Sequence, residues 1–231
     1  MDMHRSRFSF AGYRMAKLRI DETARICDNR SMNKQRGVKD MFEELVKKTR
    51  TYRGFDESRP VGREMLTALV DLTRYTASSA NLQPLKYHVA SEREEVEQIL
   101  AMTKWAGALP QLKLPHAGKH PTGFVVICQD MNIGANQTAF LKDVGIVAQT
   151  MALAAAEQGV GCCMIGSFSA EGVSEFLRLP ESIVPRLVMA FGYPAETVVL
   201  TDAGADGKTT YYRDEAGTHY VPKRRLEDIL I

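Results

Sequence analysis

The chain has 231 residues, 45% apolar and 25% charged, with a formal net charge of +2. That is long enough to bury a sizeable core, and the near-neutral balance excludes a strong general affinity for nucleic acid. No uninterrupted run of about 18 apolar residues occurs, so neither a transmembrane helix nor a membrane partner is expected.

The charge is uneven along the chain. Residues 1–40 carry ten Lys/Arg against five Asp/Glu. Weak apolar periodicity over residues 1–37 predicts a basic, poorly ordered extension ahead of a domain at 38–231. An arginine-rich start also fits a transit peptide or a membrane- or nucleic-acid-touching tail. The plainer expectation is an over-extended start, with the functional protein beginning at Met32 or Met41. Cys27, Cys128, Cys162 and Cys163 form no Cys-x-x-Cys unit. They read as buried thiols of a reducing, cytoplasmic compartment rather than as disulfides or a zinc site.

Met41, Phe42, Leu45 and Val46 recur at helical spacing and predict a helix over 38–48. Arg50-Thr51-Tyr52-Arg53 follows. Two guanidiniums flanking a hydroxyl suit a phosphate, and equally suit a solvated basic patch at a helix end. A helix over 62–75 leads into Ala77-Ser78-Ser79-Ala80-Asn81-Leu82-Gln83-Pro84. This polar loop has the hydrogen-bonding capacity to read a flat heteroaromatic edge, or simply to close a turn. Lys86–Ala90 reads as a strand and 92–102 as an amphipathic helix. Residues 105–122, rich in Gly and Pro, read as a long loop, with Trp105 a candidate lid residue. His116 and His120 lie within it at ligand spacing, but Pro115, Gly118 and Pro121 oppose a helix there.

Gly123–Cys128 is a continuous apolar run and predicts a buried strand. Residues 136–158 predict a helix apolar over a wide arc, interrupted by Asp143 and Gln149; Gln149 reads as structural. A strand and turn follow over 159–168, a short helix over 170–178, and a strand over 185–194. Residues 203–217 read as a loop or hairpin. The chain ends on Lys223, Arg224 and Arg225 before an apolar Ile229-Leu230-Ile231.

Several of these stretches together resemble the FMN-dependent nitroreductase family. Ser78, Ser79, Asn81, Gln83 and Pro84 fall on its Pro-Ser-Ser/Gly-x-Asn-x-Gln-Pro loop, with Ala77 in place of the leading proline. Thr51 and Arg53 match its Arg-x-Ser-x-Arg/Lys motif, with Thr49 replacing the first arginine and Arg50 beside it. Leu177-Arg178-Leu179-Pro180-Glu181 and Gly192-Tyr193-Pro194 also recur there.

The resemblance implies an α+β fold, a small mixed or antiparallel sheet flanked by helices, in an intertwined homodimer with FMN at the subunit interface. Alternating helices and strands would also suit a doubly wound sheet, but no Gly-x-Gly-x-x-Gly follows a strand. Arg50, Thr51, Arg53, Lys223 and Arg225 would hold the phosphate. Ser78, Ser79, Asn81 and Gln83 would meet the flavin from the other subunit, and Ile165, Gly166 and Ser167 would lie by the isoalloxazine with a backbone N–H near N5. The implied activity is ping-pong hydride transfer from NADH or NADPH through FMN to a small-molecule acceptor such as a nitroaromatic or quinone. It needs no catalytic side chain. The same fold also serves flavin fragmentation, dehalogenation and azoline oxidation. A non-catalytic flavin-storage protein is the further alternative.

Overall fold

Strand β2 (Gly123–Asp130) is buried almost end to end, so both of its faces must be covered. In the computed structural model, which describes residues 41–109 and 111–231, two helical layers cover them. The basic segment 1–37, the start-site and targeting readings attached to it, and Cys27 lie outside the described residues.

The main sheet has the order β1-β2-β4-β3, with β1 at Leu85–Ala90, β3 at Gly161–Ile165 and β4 at Ile183–Gly192. Every neighbouring pair is antiparallel. Side chains of a strand alternate between faces, and the core divides accordingly. Val125, Ile127, Met189 and Phe191 pack with helices α2 (Arg63–Leu72) and α4 (Gln137–Glu157). Phe124, Val126, Cys128, Val188 and Ala190 pack with α3 (Arg93–Ala101) and α5 (Ala170–Phe176). Helix α1 spans 41–48, as its spacing predicts. The fold is α+β, as expected.

Pro185 sits inside β4, where it cannot donate to a ladder. A register shift opposite Ile127 and Cys128 leaves Arg186 as the extra residue beside it, and a bulge is where a strand tolerates proline. Helix α4 begins where the Asn136 side chain accepts the Ala139 N–H at 3.0 Å. By length and composition alone α4 could cross a membrane. Its Phe140, Val144, Val147, Ala148 and Met151 instead lie buried in the layer facing the sheet.

A second sheet follows, in the order β5-β7-β6, from β5 (Val198–Asp202), β6 (Tyr212–Arg213) and β7 (His219–Lys223). The expected loop or hairpin over 203–217 contains β6 and its turn to β7. Sequence reasoning assigned neither β5 nor β7. Pro222 argues against a central strand, but β6 pairs only as far as Tyr220, so the side of Pro222 that lacks a donor meets no strand.

Gly161 and Gly192 are register partners at the end of β3 and β4. Their missing side chains make a slot for the segment after α1. A Cβ on Gly161 would come 2.5 Å from Tyr52, and one on Gly192 would come 2.7 Å from Phe55. Thr51 bridges Cys162, and Phe55 bridges Pro194. Glycine is needed here for close approach. Gly192→Ala is therefore expected to destabilise the protein by about 1–3 kcal/mol through overpacking against buried Phe55. Urea unfolding checks this; an unchanged midpoint would mean the slot is slack.

Candidate functional site

The slot delivers Arg50, Thr51 and Arg53 to the mouth of a pocket of about 320 Å³. Lys223, at the end of β7, lines the same pocket, with Tyr211 and His219 beside it and Gln149, Cys162 and Met164 from α4 and β3. Thus the basic groups at opposite ends of the domain meet at one place. No Asp or Glu is among the described residues that line it.

Arg53 is held from three directions. Its backbone N–H donates to the Glu196 carboxylate. Its Nη1 donates to His219 Nε2 at 3.1 Å, and its guanidinium carbon lies 4.7 Å from the centre of the Tyr211 ring. Glu196 also takes the Arg213 guanidinium in a pair with side chains only 5% and 11% exposed. Burial, then the charges of Arg53 and Arg213, push His219 down to about 4, so its ring is neutral at physiological pH. Burial also pulls Arg50 below its ordinary pKa. Among the described residues, Arg50 Nε and His219 Nδ1 are buried without a partner. The wall is rich in donors and short of acceptors, a setting that suits an oxygen-rich anion.

The loop at 77–84 is organised elsewhere, on α4. Asp143 is 2% exposed. It accepts the Ser78 hydroxyl at 2.6 Å, the Ser79 hydroxyl at 2.7 Å and the Ser79 N–H at 3.0 Å. Burial opposes ionisation of Asp143, but these hydrogen bonds outweigh it and its pKa lies below the ordinary value. Ala80, Asn81 and Gln83 all have positive φ, near 50°, which costs free energy for residues with a side chain. The Gln83 N–H donates to Ser78 Oγ at 3.0 Å, and Gln83 Nε2 donates to Asn81 Oδ1 at 3.0 Å. Ser78 and Gln83 line a smaller pocket of about 130 Å³.

Of the residues singled out from sequence, Arg50, Thr51, Arg53 and Lys223 therefore share one pocket. Arg225 does not join them: its guanidinium pairs with Glu227 at 3.1 Å and Asp228 at 3.3 Å in the following turn. The Ile165 side chain, 4% exposed, belongs to the core between β3 and α5, and Met164 lines the pocket instead. Alternation along β3 decides this: residue 164 faces the pocket and residue 165 the opposite layer. Gly166 and Ser167 are exposed at the end of β3, and a side chain on Gly166 would meet open space.

No described residue of the loop 105–122 lines the 320 Å³ pocket. Ala106, Leu109 and Leu114 bury against one another and Tyr211 instead, and Trp105 donates to Thr103 Oγ1 at 2.7 Å. Cys128, Cys162 and Cys163 are buried thiols, each pushed up to about 12 by burial, and so unreactive at neutral pH.

Glu196, Tyr211, His219 and Asp143 carried no motif. The one available signal was a lone Asp143 and Gln149 within an otherwise apolar helix.

Glu196→Ala is expected to cost about 3–5 kcal/mol, because it strands the buried Arg213 guanidinium; denaturant titration checks this. Asp143 is depressed when folded, so its stabilisation is present above the ordinary carboxylate range and fades as pH falls through the folded pKa. The stability gap between wild type and Asp143→Ala should therefore be wide at neutral pH and narrow as the pH falls below the ordinary carboxylate range. A pH-independent gap in paired unfolding curves would contradict it.

Comparison with known proteins agrees with the fold. The model of the nitroreductase family matches residues 46–193. A Methanothermobacter thermautotrophicus protein with the provisional name NADH dehydrogenase/NAD(P)H nitroreductase is 24% identical over 157 residues, 66% of this chain and 77% of its own. A Cr(VI) reductase from a Pseudomonas strain is 24% identical over 168 residues, 67% of each chain. Among solved structures, NfrA1 of B. megaterium aligns with a TM-score of 0.57 at 20% identity, over 78% of this chain and 75% of that one. Glu196, Tyr211, His219 and Lys223 all lie beyond the matched span. Inside it, sheet order, helical layers and sequence tell the same story, and the chain belongs to the nitroreductase family.

Proposed function

We propose that the chain is an FMN-dependent oxidoreductase that passes electrons from NADH or NADPH to a small-molecule acceptor, such as a nitroaromatic or quinone, in ping-pong order. The observation that carries this reading is the convergence of Arg50, Thr51, Arg53 and Lys223 on one pocket without a carboxylate. Three cations and a hydroxyl fit a phosphate monoester, whose oxygens would also supply the acceptors that the wall lacks. FMN, when bound, supplies the two-electron carrier. The chain's own residues then bind and orient: Arg50, Arg53 and Lys223 neutralise the phosphate, Thr51 adds a short donor, and Met164 and Ala152 offer apolar wall. The name of the Methanothermobacter relative supports NAD(P)H as reductant. That of a Clostridium difficile structure of the same fold, an FMN-dependent nitroreductase at 20% identity and a TM-score of 0.52 over 66% of this chain and 87% of that one, supports FMN.

The same reading includes a homodimer. Within one protomer the loop holding Ser78, Asn81 and Gln83 and the basic pocket line separate cavities. A second copy would bring the loop of one protomer to the pocket of the other. Leu141 and Ile146 on α4, and Leu226, Ile229, Leu230 and Ile231 at the C-terminus, are exposed apolar side chains that such a partner would cover.

Purified protein reconstituted with FMN is expected to be yellow and to bleach anaerobically on adding NADH or NADPH. Binding of FMN without bleaching by either would favour a storage role. Arg53→Ala is expected to weaken FMN binding by roughly 1.5–3 kcal/mol, the range for a hydrogen bond to a charged group. Unchanged affinity in flavin-fluorescence titrations would count against the phosphate assignment. Sedimentation velocity should give twice the chain mass; a monomer that still binds FMN would remove the dimer.

A further inference from the structure

We infer that His219 sets the selectivity of the basic pocket for a phosphate-bearing flavin, by orienting the Arg53 guanidinium with a neutral acceptor that leaves its charge to the ligand. The inference rests on the reading of this pocket as the FMN phosphate site.

An arginine guanidinium only donates. A contact of 3.1 Å between Arg53 Nη1 and His219 Nε2 therefore requires a lone pair on Nε2, and the ring proton sits on Nδ1. Two neighbouring guanidiniums, Arg53 and Arg213, oppose a charged imidazole, as does burial of all but 1% of the residue. His219 is thus an acceptor without charge.

Most buried arginines are held by carboxylates, and a carboxylate would have been at hand. One carboxylate oxygen of Glu196 accepts the backbone N–H of Arg53, and the other takes the guanidinium of Arg213, not that of Arg53. Among the described residues, no carboxylate oxygen lies within 4 Å of the Arg53 guanidinium. The difference matters for binding. A carboxylate partner would fix Arg53 equally well, but it would cancel the charge and repel an incoming dianion. A neutral imidazole fixes one N–H and, with the Tyr211 ring, the plane of the group, while the remaining donors and the full positive charge stay available. His219 acts through Arg53 and is a positioning residue.

The test compares FMN with riboflavin, which differs only in lacking the phosphate, by fluorescence titration of full-length protein. The readout is the dissociation constant for riboflavin divided by that for FMN. A merely structural role would weaken both ligands together and leave the ratio unchanged. In His219→Ala the ratio is expected to fall about tenfold or more, the loss for one charge-assisted contact. His219→Gln, a neutral acceptor of similar reach, should hold it within about threefold of wild type. His219→Glu should lower the ratio at least as far as the alanine variant, although it restores an acceptor. Should the glutamate variant fail to fold, the alanine and glutamine pair decides. An unchanged ratio in the alanine variant overturns the inference, as does an unchanged ratio in a folded glutamate variant. Wild-type protein that binds riboflavin as tightly as FMN would instead overturn the phosphate reading itself, and the inference with it.

Discussion

A buried carboxylate joins the two ends of this domain. Glu196 accepts the backbone N–H of Arg53 from the start of the chain's globular part and the Arg213 guanidinium from its second sheet. Removing charges from water is costly, and such a pair adds little net stability compared with apolar packing. What it provides is registry. Residues 51–55 lie over the glycine pair of β3 and β4, and the small sheet of β5, β6 and β7 lies beside them. Without a shared acceptor neither would hold Arg53, Tyr211 and His219 in one wall.

The second polar anchor follows a similar logic at another place. Three residues of the loop 79–83 take left-handed backbone angles; Asn81 tolerates this conformation, but Ala80 and Gln83 have no such preference. Asp143 supplies the compensation by gathering two hydroxyls and a backbone N–H. The serines are therefore spent on the scaffold, while Asn81 and Gln83 remain exposed on the outer side. Holding a strained loop from a rigid helix is a common way to keep polar groups ready for a ligand.

Periodicity made the main domain readable. The unbroken apolar run at 123–128 announced a strand covered on both faces, and the helices at 63–72, 93–101 and 137–157 showed in their spacing. Local pattern could not reveal partners distant in the chain. Glu196 sits in an unremarkable turn, His219 opens a strand disguised by Pro222, and Tyr211 lies in a polar loop; each acquires its role only through a residue some 150 positions away. Arg225 fitted a motif by its charge, and in the folded chain it pairs with Glu227 and Asp228 in the turn that follows it. The Ile165 side chain faces the core, while its backbone ends the strand beside the exposed Gly166 and Ser167.

Arg53 and His219 stand 166 residues apart. At ribosomal rates of roughly 5–20 residues per second, the arginine emerges some 8–33 s before its acceptor is made. Over that interval the central sheet has most of its strands, yet the basic cavity has only one side. A chain cut after residue 193 lacks Tyr211, His219, Val221 and Lys223, and with them the far wall. The basic wall is therefore complete only once the second sheet has been made.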